Sequence, residues 1–252
     1  MQIRFDGQVV AVSGGAMGFG RAICRRFADL GARVFTCDVD QAGLAETAAG
    51  RDISTAVVDL SDRAAAAAWI KGVEDAAGGP IRVLVHNAGG VVGARFHPVE
   101  EAPDADWDRV FAVNIHAGFA LARAAGAGMK AAGRGRIVTI SSTAGLQASR
   151  TGIQAYTAAK HALVGLTKQL AVEFGPYGIT VNSVAPGLQY TGPEGIAAWE
   201  ARPEAERQAI LRTIALGRLG EPDDIADGVL FFASEHAKLI TGHVLPVNGG
   251  RI

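Results

Sequence analysis

Seven short runs rich in β-branched residues, separated by longer stretches with helical spacing, limit this chain to a narrow set of folds. The runs are Val9–Ser13, Arg33–Cys37, Thr55–Val58, Val83–His86, Arg136–Ile140, Thr180–Ala185 and His243–Val247. Between them the spacing predicts helices over Gly20–Leu30, Gln41–Ala49, Arg63–Ala77, Ala105–Ala131, Gly152–Phe174 and Asp223–Ala233. The strands lack the apolar–polar alternation of a half-exposed sheet, so both of their faces must be covered. Strands alternating with helices then predict a doubly wound α/β fold, a mostly parallel seven-stranded sheet with helices on both faces. No Pro/Ser-rich linker and no repeat divides the chain, so residues 1–252 are expected to form one domain. The Gly- and Pro-rich stretch from Gly187 to about Leu219, with a helical patch over Ile196–Leu211, is expected to be a lid or substrate loop.

Composition narrows the class without choosing a chemistry. Hydrophobic residues make up 49% and charged residues 19%, which describes a folded chain and not a disordered one. The net charge is −1 with no basic run, so the footprint of a nucleic-acid binder or of a basic membrane anchor is missing. No uninterrupted apolar run reaches the roughly 18 residues of a bilayer span. The N-terminus, Met1-Gln2-Ile3-Arg4-Phe5-Asp6-Gly7, has no apolar core of a signal peptide. Cys24 and Cys37 fit neither a disulfide framework nor a metal site, and a reducing cytoplasm is the expected setting.

The first strand runs into Ser13-Gly14-Gly15-Ala16-Met17-Gly18-Phe19-Gly20 and then a helix. Glycines at such a turn let backbone amides approach a pyrophosphate, whose charge suits the helix N-terminus. With 33 glycines in the chain the spacing alone is weak; its place between strand and helix raises it. Asp38, at the end of the second strand, can accept hydrogen bonds from both adenosine ribose hydroxyls and would repel a 2′-phosphate. Met17 and Val39 offset nothing, so NAD (NADH) is favoured over NADP. Asp59 could meet the adenine amino group or merely cap the helix after Ser61. Asn87, in His86-Asn87-Ala88-Gly89-Gly90, can tie neighbouring strands through its amide, whereas His86 reads as a packed strand residue.

Tyr156 and Lys160 lie one helical turn apart, so the phenol and ammonium project from one face. An ammonium there favours the phenolate and would draw the tyrosine pKa below its usual value of about 10. That makes Tyr156 a candidate general acid/base. Taken alone the pair is an ordinary helix-face couple. Ser142 stands at the carboxyl end of a strand, where open α/β sheets bind ligands. Asn114 places an amide in an otherwise apolar helix, where it needs buried partners or a function. The Tyr156 helix is apolar or small nearly all round, which predicts a second buried face and hence a homo-oligomer.

In this order the glycine loop, Asn87-Ala88-Gly89, Asn114, Ser142, Tyr156-x-x-x-Lys160, Pro186-Gly187 and Val247-Asn248-Gly249-Gly250 make the chain resemble the short-chain dehydrogenase/reductase family over essentially its whole length. The resemblance implies a Rossmann fold, NAD(P)-dependent oxidoreductase chemistry and a homotetramer. It implies that Tyr156 exchanges a proton with the substrate oxygen and that Lys160 lowers the tyrosine pKa and holds the nicotinamide ribose. Ser142 would hydrogen-bond the reacting oxygen, and Asn114 would position a water that links Lys160 to solvent. Gly14, Met17, Gly18, Phe19, Gly20, Asp38, Asp59, Leu60, Asn87, Ala88 and Gly89 would surround the cofactor. Thr191 would meet the carboxamide, with Pro186 and Gly187 shaping that end. Ser13, Phe19 and His86 depart from the family's usual residues, and none removes a catalytic group.

The expected activity is interconversion of a secondary alcohol (polyol, sugar or alkyl/aryl carbinol) and its ketone. The alternative within the class is a 3-oxoacyl thioester reductase, which Asp38 disfavours because biosynthetic reductases usually draw on NADPH. A non-enzymatic cofactor-binding protein is a third reading, weakened by the presence of all four catalytic groups. Ser142, Ala144, Leu146, Gln154, Leu188 and Trp199 are the principal candidates for substrate contact, with Val92, Arg150 and Tyr190 as further pocket linings.

Overall fold

The computed structural model describes residues 3–149 and 151–251, so Arg150 lies outside the described residues. Its strands are β1 (Val9–Ser13), β2 (Arg33–Asp38), β3 (Ile53–Val57), β4 (Val83–His86), β5 (Gly135–Ile140), β6 (Ile179–Pro186) and β7 (Val244–Val247). They form one sheet of order β3-β2-β1-β4-β5-β6-β7 in which every pairing is parallel. The chain builds outward from β1 to β3, then crosses back to set β4 on the other side of β1. The loops after β1 and β4 therefore diverge and open a crevice at the carboxyl ends of the strands. Register places Ser13 beside both Cys37 and His86 there.

The helices are α1 (Gly18–Asp29), α2 (Gln41–Ala48), α3 (Arg63–Ala77), α4 (Asp104–Phe111), α5 (Ala117–Ala131), α6 (Gln154–Phe174), α7 (Gly192–Glu200), α8 (Glu204–Leu211) and α9 (Pro222–Ala233). Successive strand side chains point to opposite faces, and β1 divides accordingly. Val9 and Ala11 join the core under α3, α5 and α6, built on Trp69, Leu121, Met129 and Phe174. Val10 and Val12 join the core under α1 and α9, built on Ile23, Phe27, Ile225 and Val229. Every residue of β1, β4, β5 and β6 is buried, as strands covered on both faces require. β3 and β7 are the edges and are partly exposed.

The expected helix over Ala105–Ala131 is not one uniform helix. α4 and α5 are joined by a π-helical turn, Ala112–His116, centred on Asn114. The Asn114 side chain donates to the Val110 carbonyl at 2.8 Å. Taking that i−4 acceptor out of the α-helical ladder accounts for the looser turn. The run Asp104–Ala131 is long and apolar enough to cross a membrane by length and composition, yet half of its most apolar window is buried in the fold. The patch expected over Ile196–Leu211 is two helices, α7 and α8, because Pro203 stands at the N-cap of α8.

Candidate active site

The site lies in the crevice above the carboxyl ends of β1, β2, β4, β5 and β6. A cavity of about 640 Å³ runs along the glycine loop and is lined by Gly14, Met17, Gly18, Phe19, Asp38, Asp59, Leu60, Asn87, Ala88, Gly89 and Thr191. Ala16, Val39, Asp40, Val58, Gly90, Val92 and Val113 complete it, residues not among the expected cofactor contacts. Gly14 has φ +74°, and a Cβ there would lie 2.8 Å from the Ala88 backbone. Gly20 does not line the cavity; a Cβ on it would collide with the Gly14 carbonyl, so it lets α1 close onto the loop. Such a cradle fits a dinucleotide, with backbone amides at one helix N-terminus and small residues where a side chain would intrude.

Asp38 holds this loop as well as facing the cavity. One carboxylate oxygen accepts from Ala16 N at 3.1 Å, and the other from Val39 N at 2.8 Å and Asp40 N at 3.3 Å. Asp40 caps α2 by accepting from Gly43 N at 3.1 Å. Asp59 accepts from Ser61 N at 2.9 Å, while Asp62 caps α3; Asp59 is thus not the helix cap. Asn87 Nδ2 donates to Gly14 O at 2.8 Å and ties β4 to the glycine loop.

The reacting end is assembled from β5, α6 and the α4–α5 junction. Lys160 is 4% exposed, and its Nζ donates to the Ile140 carbonyl at 2.9 Å. Ser141 Oγ donates to the Lys160 carbonyl at 3.2 Å, pinning α6 to the end of β5. The ammonium lies 5.8 Å from the Tyr156 ring centroid, so the pair does share a face. Burial lowers the Lys160 pKa to about 8.

The expected depression of the Tyr156 pKa does not hold in the polypeptide itself. Burial of the phenol pushes it above the usual value, and a hydrogen bond with Ser142 pulls the other way without prevailing. Burial is the larger effect, and the Lys160 ammonium, which donates to Ile140 O and lies 5.8 Å from the ring centroid, does not offset it. Ser142 Oγ also accepts from Ala144 N at 3.1 Å. Asn114 is fully buried and uses its whole amide: Nδ2 donates to Gly90 O at 2.9 Å and Oδ1 accepts from Gly90 N at 3.0 Å. Gly89, at φ +154°, sits where a Cβ would press on both Asn114 and Lys160.

Beside Tyr156 a second pocket of about 240 Å³ is lined by Ser142, Thr143, Ala144, Gln147, Ala148, Ser149, Thr151, Gly187, Leu188, Gln189 and Arg251. Of the expected substrate contacts it brings together Ser142, Ala144 and Leu188. It does not include Leu146, Gln154 or Trp199. Gln154 donates its amide to His97 O at 2.8 Å, Leu146 is 44% exposed, and Trp199 stacks on Tyr190 at 5.1 Å. Pro186 is buried at the end of β6 beside Val247. Gln147, Gln189 and Arg251 line the pocket without being among the expected contacts. Gln189 lay within the expected lid, and Arg251 only two residues past the terminal Gly249.

Residues 14–251 match a family model described as enoyl-(acyl carrier protein) reductase. The chain is 39% identical over 249 residues to a (2S)-[(R)-hydroxy(phenyl)methyl]succinyl-CoA dehydrogenase subunit of Thauera aromatica, covering 97% of this chain and 96% of that one. It is 38% identical over 251 residues to an L-tagatose-forming galactitol 2-dehydrogenase of Cereibacter sphaeroides, covering 98% and 96%. Among solved structures, a provisionally named NAD(P)-dependent gluconate 5-dehydrogenase of Beutenbergia cavernae, with NADP bound at low occupancy, aligns with TM-score 0.88 and 38% identity over 98% of both chains.

Proposed function

The chain belongs to the short-chain dehydrogenase/reductase family and interconverts a secondary alcohol and its ketone, and we propose that it does so with NAD on a polyhydroxylated substrate. The observation that carries the cofactor choice is the lining of the 640 Å³ cavity, which contains Asp38, Asp40 and Asp59 and, among the described residues, no lysine, arginine or histidine. A 2′-phosphate there would meet carboxylates with nothing to offset them. Arg21, the nearby cation of α1, is paired with Glu46 at 2.8 Å. The gluconate 5-dehydrogenase structure holds NADP, a property of that protein.

The bound nicotinamide supplies the hydride acceptor or donor. Tyr156 takes the proton from the carbinol oxygen, or returns it to the ketone oxygen. Ser142 holds that oxygen and stabilises charge developing on it. Lys160, with a pKa near 8, can give and take a proton close to neutral pH and supports the phenolate once the site is filled. Asn114 fixes the Gly89–Gly90 turn against Lys160, and its relay water is part of this reading. Thr191, Pro186 and Gly187 shape the nicotinamide end. The chain acts as one catalytic domain, with residues from 187 to about 219 as its lid.

A polar substrate is favoured by the pocket beside Tyr156, where Ser142, Thr143, Gln147, Ser149, Thr151, Gln189 and Arg251 outnumber the apolar linings. The side-chain amide of Gln189 is buried, with neither end hydrogen-bonded among the described residues. A substrate hydroxyl both donates and accepts, so it can satisfy such groups; an alkyl or aryl group leaves them unpaired, at roughly 1–3 kcal/mol each. The second reading, a 3-oxoacyl thioester reductase, draws on the description of the matching family model. The enzyme is proposed to be a cytoplasmic homotetramer. One face of α6 packs on the sheet, while Ala162, Gly165 and Val172 on the other stay exposed for a second subunit.

A panel of polyols, sugars, hydroxy acids, simple secondary alcohols and 3-hydroxyacyl thioesters, followed by NADH absorbance, tests the substrate class. The expected result is a kcat/KM for polyols or sugars at least about tenfold above that for simple carbinols. Preference for an aryl carbinol or a thioester would contradict it.

A further inference from the structure

His86 is a buried titratable side chain that the proposed chemistry leaves without a role. It is 2% exposed, at the carboxyl end of β4. Its Nε2 lies 3.0 Å from the main-chain oxygen of Asn114, and its Nδ1 lies 3.2 Å from Ser13 Oγ. A carbonyl oxygen can only accept, so Nε2 must carry the ring proton. Nδ1 is then an acceptor, and the Ser13 hydroxyl must donate to it. Ser13 Oγ in turn accepts from the main-chain N–H groups of Asn87 and Ala88, each at 3.1 Å. One assignment of protons satisfies every member of this chain.

A doubly protonated ring would break it, because Nδ1–H would face a hydroxyl whose lone pairs are already taken by Asn87 and Ala88. The surroundings keep the ring neutral: burial, and the nearby Lys160 charge, hold its pKa down at about 4. The ring also fits closely against α5. A Cβ on Gly118 would stand 2.7 Å from imidazole Cδ2, so the approach depends on that glycine.

The oxygen that His86 holds is in the π-helical turn, and the side chain of the same residue clamps Gly90 from both sides. We infer that His86 is a positioning residue. As the neutral Nε2–H tautomer it fixes the main chain of Asn114, and through it the Gly89–Gly90 turn beside Lys160, to the cofactor loop that Ser13 secures. This inference rests on the reading of Tyr156 and Lys160 as the proton-handling pair.

The test compares His86→Met, which keeps volume without a donor, with His86→Gln, whose amide can reach the place of Nε2. In the Met variant kcat is expected to fall at least about tenfold while NADH affinity stays within about threefold, since small misplacements at a site act on turnover. The Gln variant is expected to recover to within about threefold of the parent kcat. Nitrogen-15 spectra of histidine-labelled parent protein at neutral pH are expected to show His86 with a protonated Nε2 and a bare Nδ1. Equal kcat in the two variants per folded molecule would overturn the inference. So would a protonated Nδ1, a result that needs neither variant to fold. Absence of dehydrogenase activity in the parent would instead overturn the reading of the site beneath it.

Discussion

Tyr156→Phe is expected to lower kcat on the order of 10³-fold, the usual scale of a lost general acid/base, with NADH affinity within about threefold of the parent. The substitution removes one oxygen and leaves the ring that packs against the cluster of Ala94, Val110, Ile153, Ala155 and Ala159. Ser142 would still hold the substrate oxygen, yet no group would take its proton. Lys160 does not take its place, because with a pKa near 8 it is mostly protonated at neutral pH and cannot accept a proton in that form. Burial already pushes the Tyr156 pKa up, so the phenolate is the scarce form at neutral pH. Alcohol oxidation by the parent should therefore accelerate as pH rises above neutral, and the residual rate of the Phe variant should not follow it. Initial rates across pH, with NADH titrated by fluorescence, check both. A Phe variant retaining more than a few per cent of turnover would show that the proton acceptor lies elsewhere.

The second large effect is on cofactor choice. Asp38→Ala is expected to reduce the preference for NAD over NADP, as a ratio of kcat/KM values, by on the order of 10–100-fold. Two changes act together. The repulsion of a 2′-phosphate falls, and NAD loses the acceptor for its ribose hydroxyls. Because Asp38 also receives the N–H groups of Ala16, Val39 and Asp40, the Ala variant should bind both cofactors less tightly through a loosened loop. Asp38→Asn separates the effects, since it keeps an acceptor without the charge. An unchanged preference in both variants would contradict the ribose assignment.

The parts of the molecule written into local spacing were legible in the sequence. Strand cores with no polar alternation, the glycines after β1 and the Tyr156/Lys160 pair all depend on neighbours a few residues away. The π-helical turn was not legible, because it arises from one side chain, Asn114, competing for the Val110 carbonyl within an apolar helix. The direction of the Tyr156 shift was missed for a similar reason. The i, i+4 spacing gives the shared face, but not the burial of the phenol, which is the larger effect. The lining of the pocket beside Tyr156 was the least legible part. Leu146, Gln154 and Trp199 were near the motifs in sequence, whereas the pocket joins the loop after β5, the first residues after β6 and Arg251 near the C-terminus. Convergence of three distant segments leaves no periodic trace. His86 was correctly read as a packed strand residue, but its bonds to Ser13 and Asn114 depend on the parallel register of β1 with β4 and on the π turn.

The central claim is hydride transfer between a carbinol carbon and NAD, with the hydroxyl proton passing to Tyr156. A polyol deuterated at its reacting carbinol carbon, oxidised by the parent enzyme with NAD, tests it most directly by NMR of the reduced cofactor. The account predicts that the deuterium appears at the nicotinamide C4 position on one face, with none released to water. Deuterium in the solvent, or reduced cofactor without label, would contradict it.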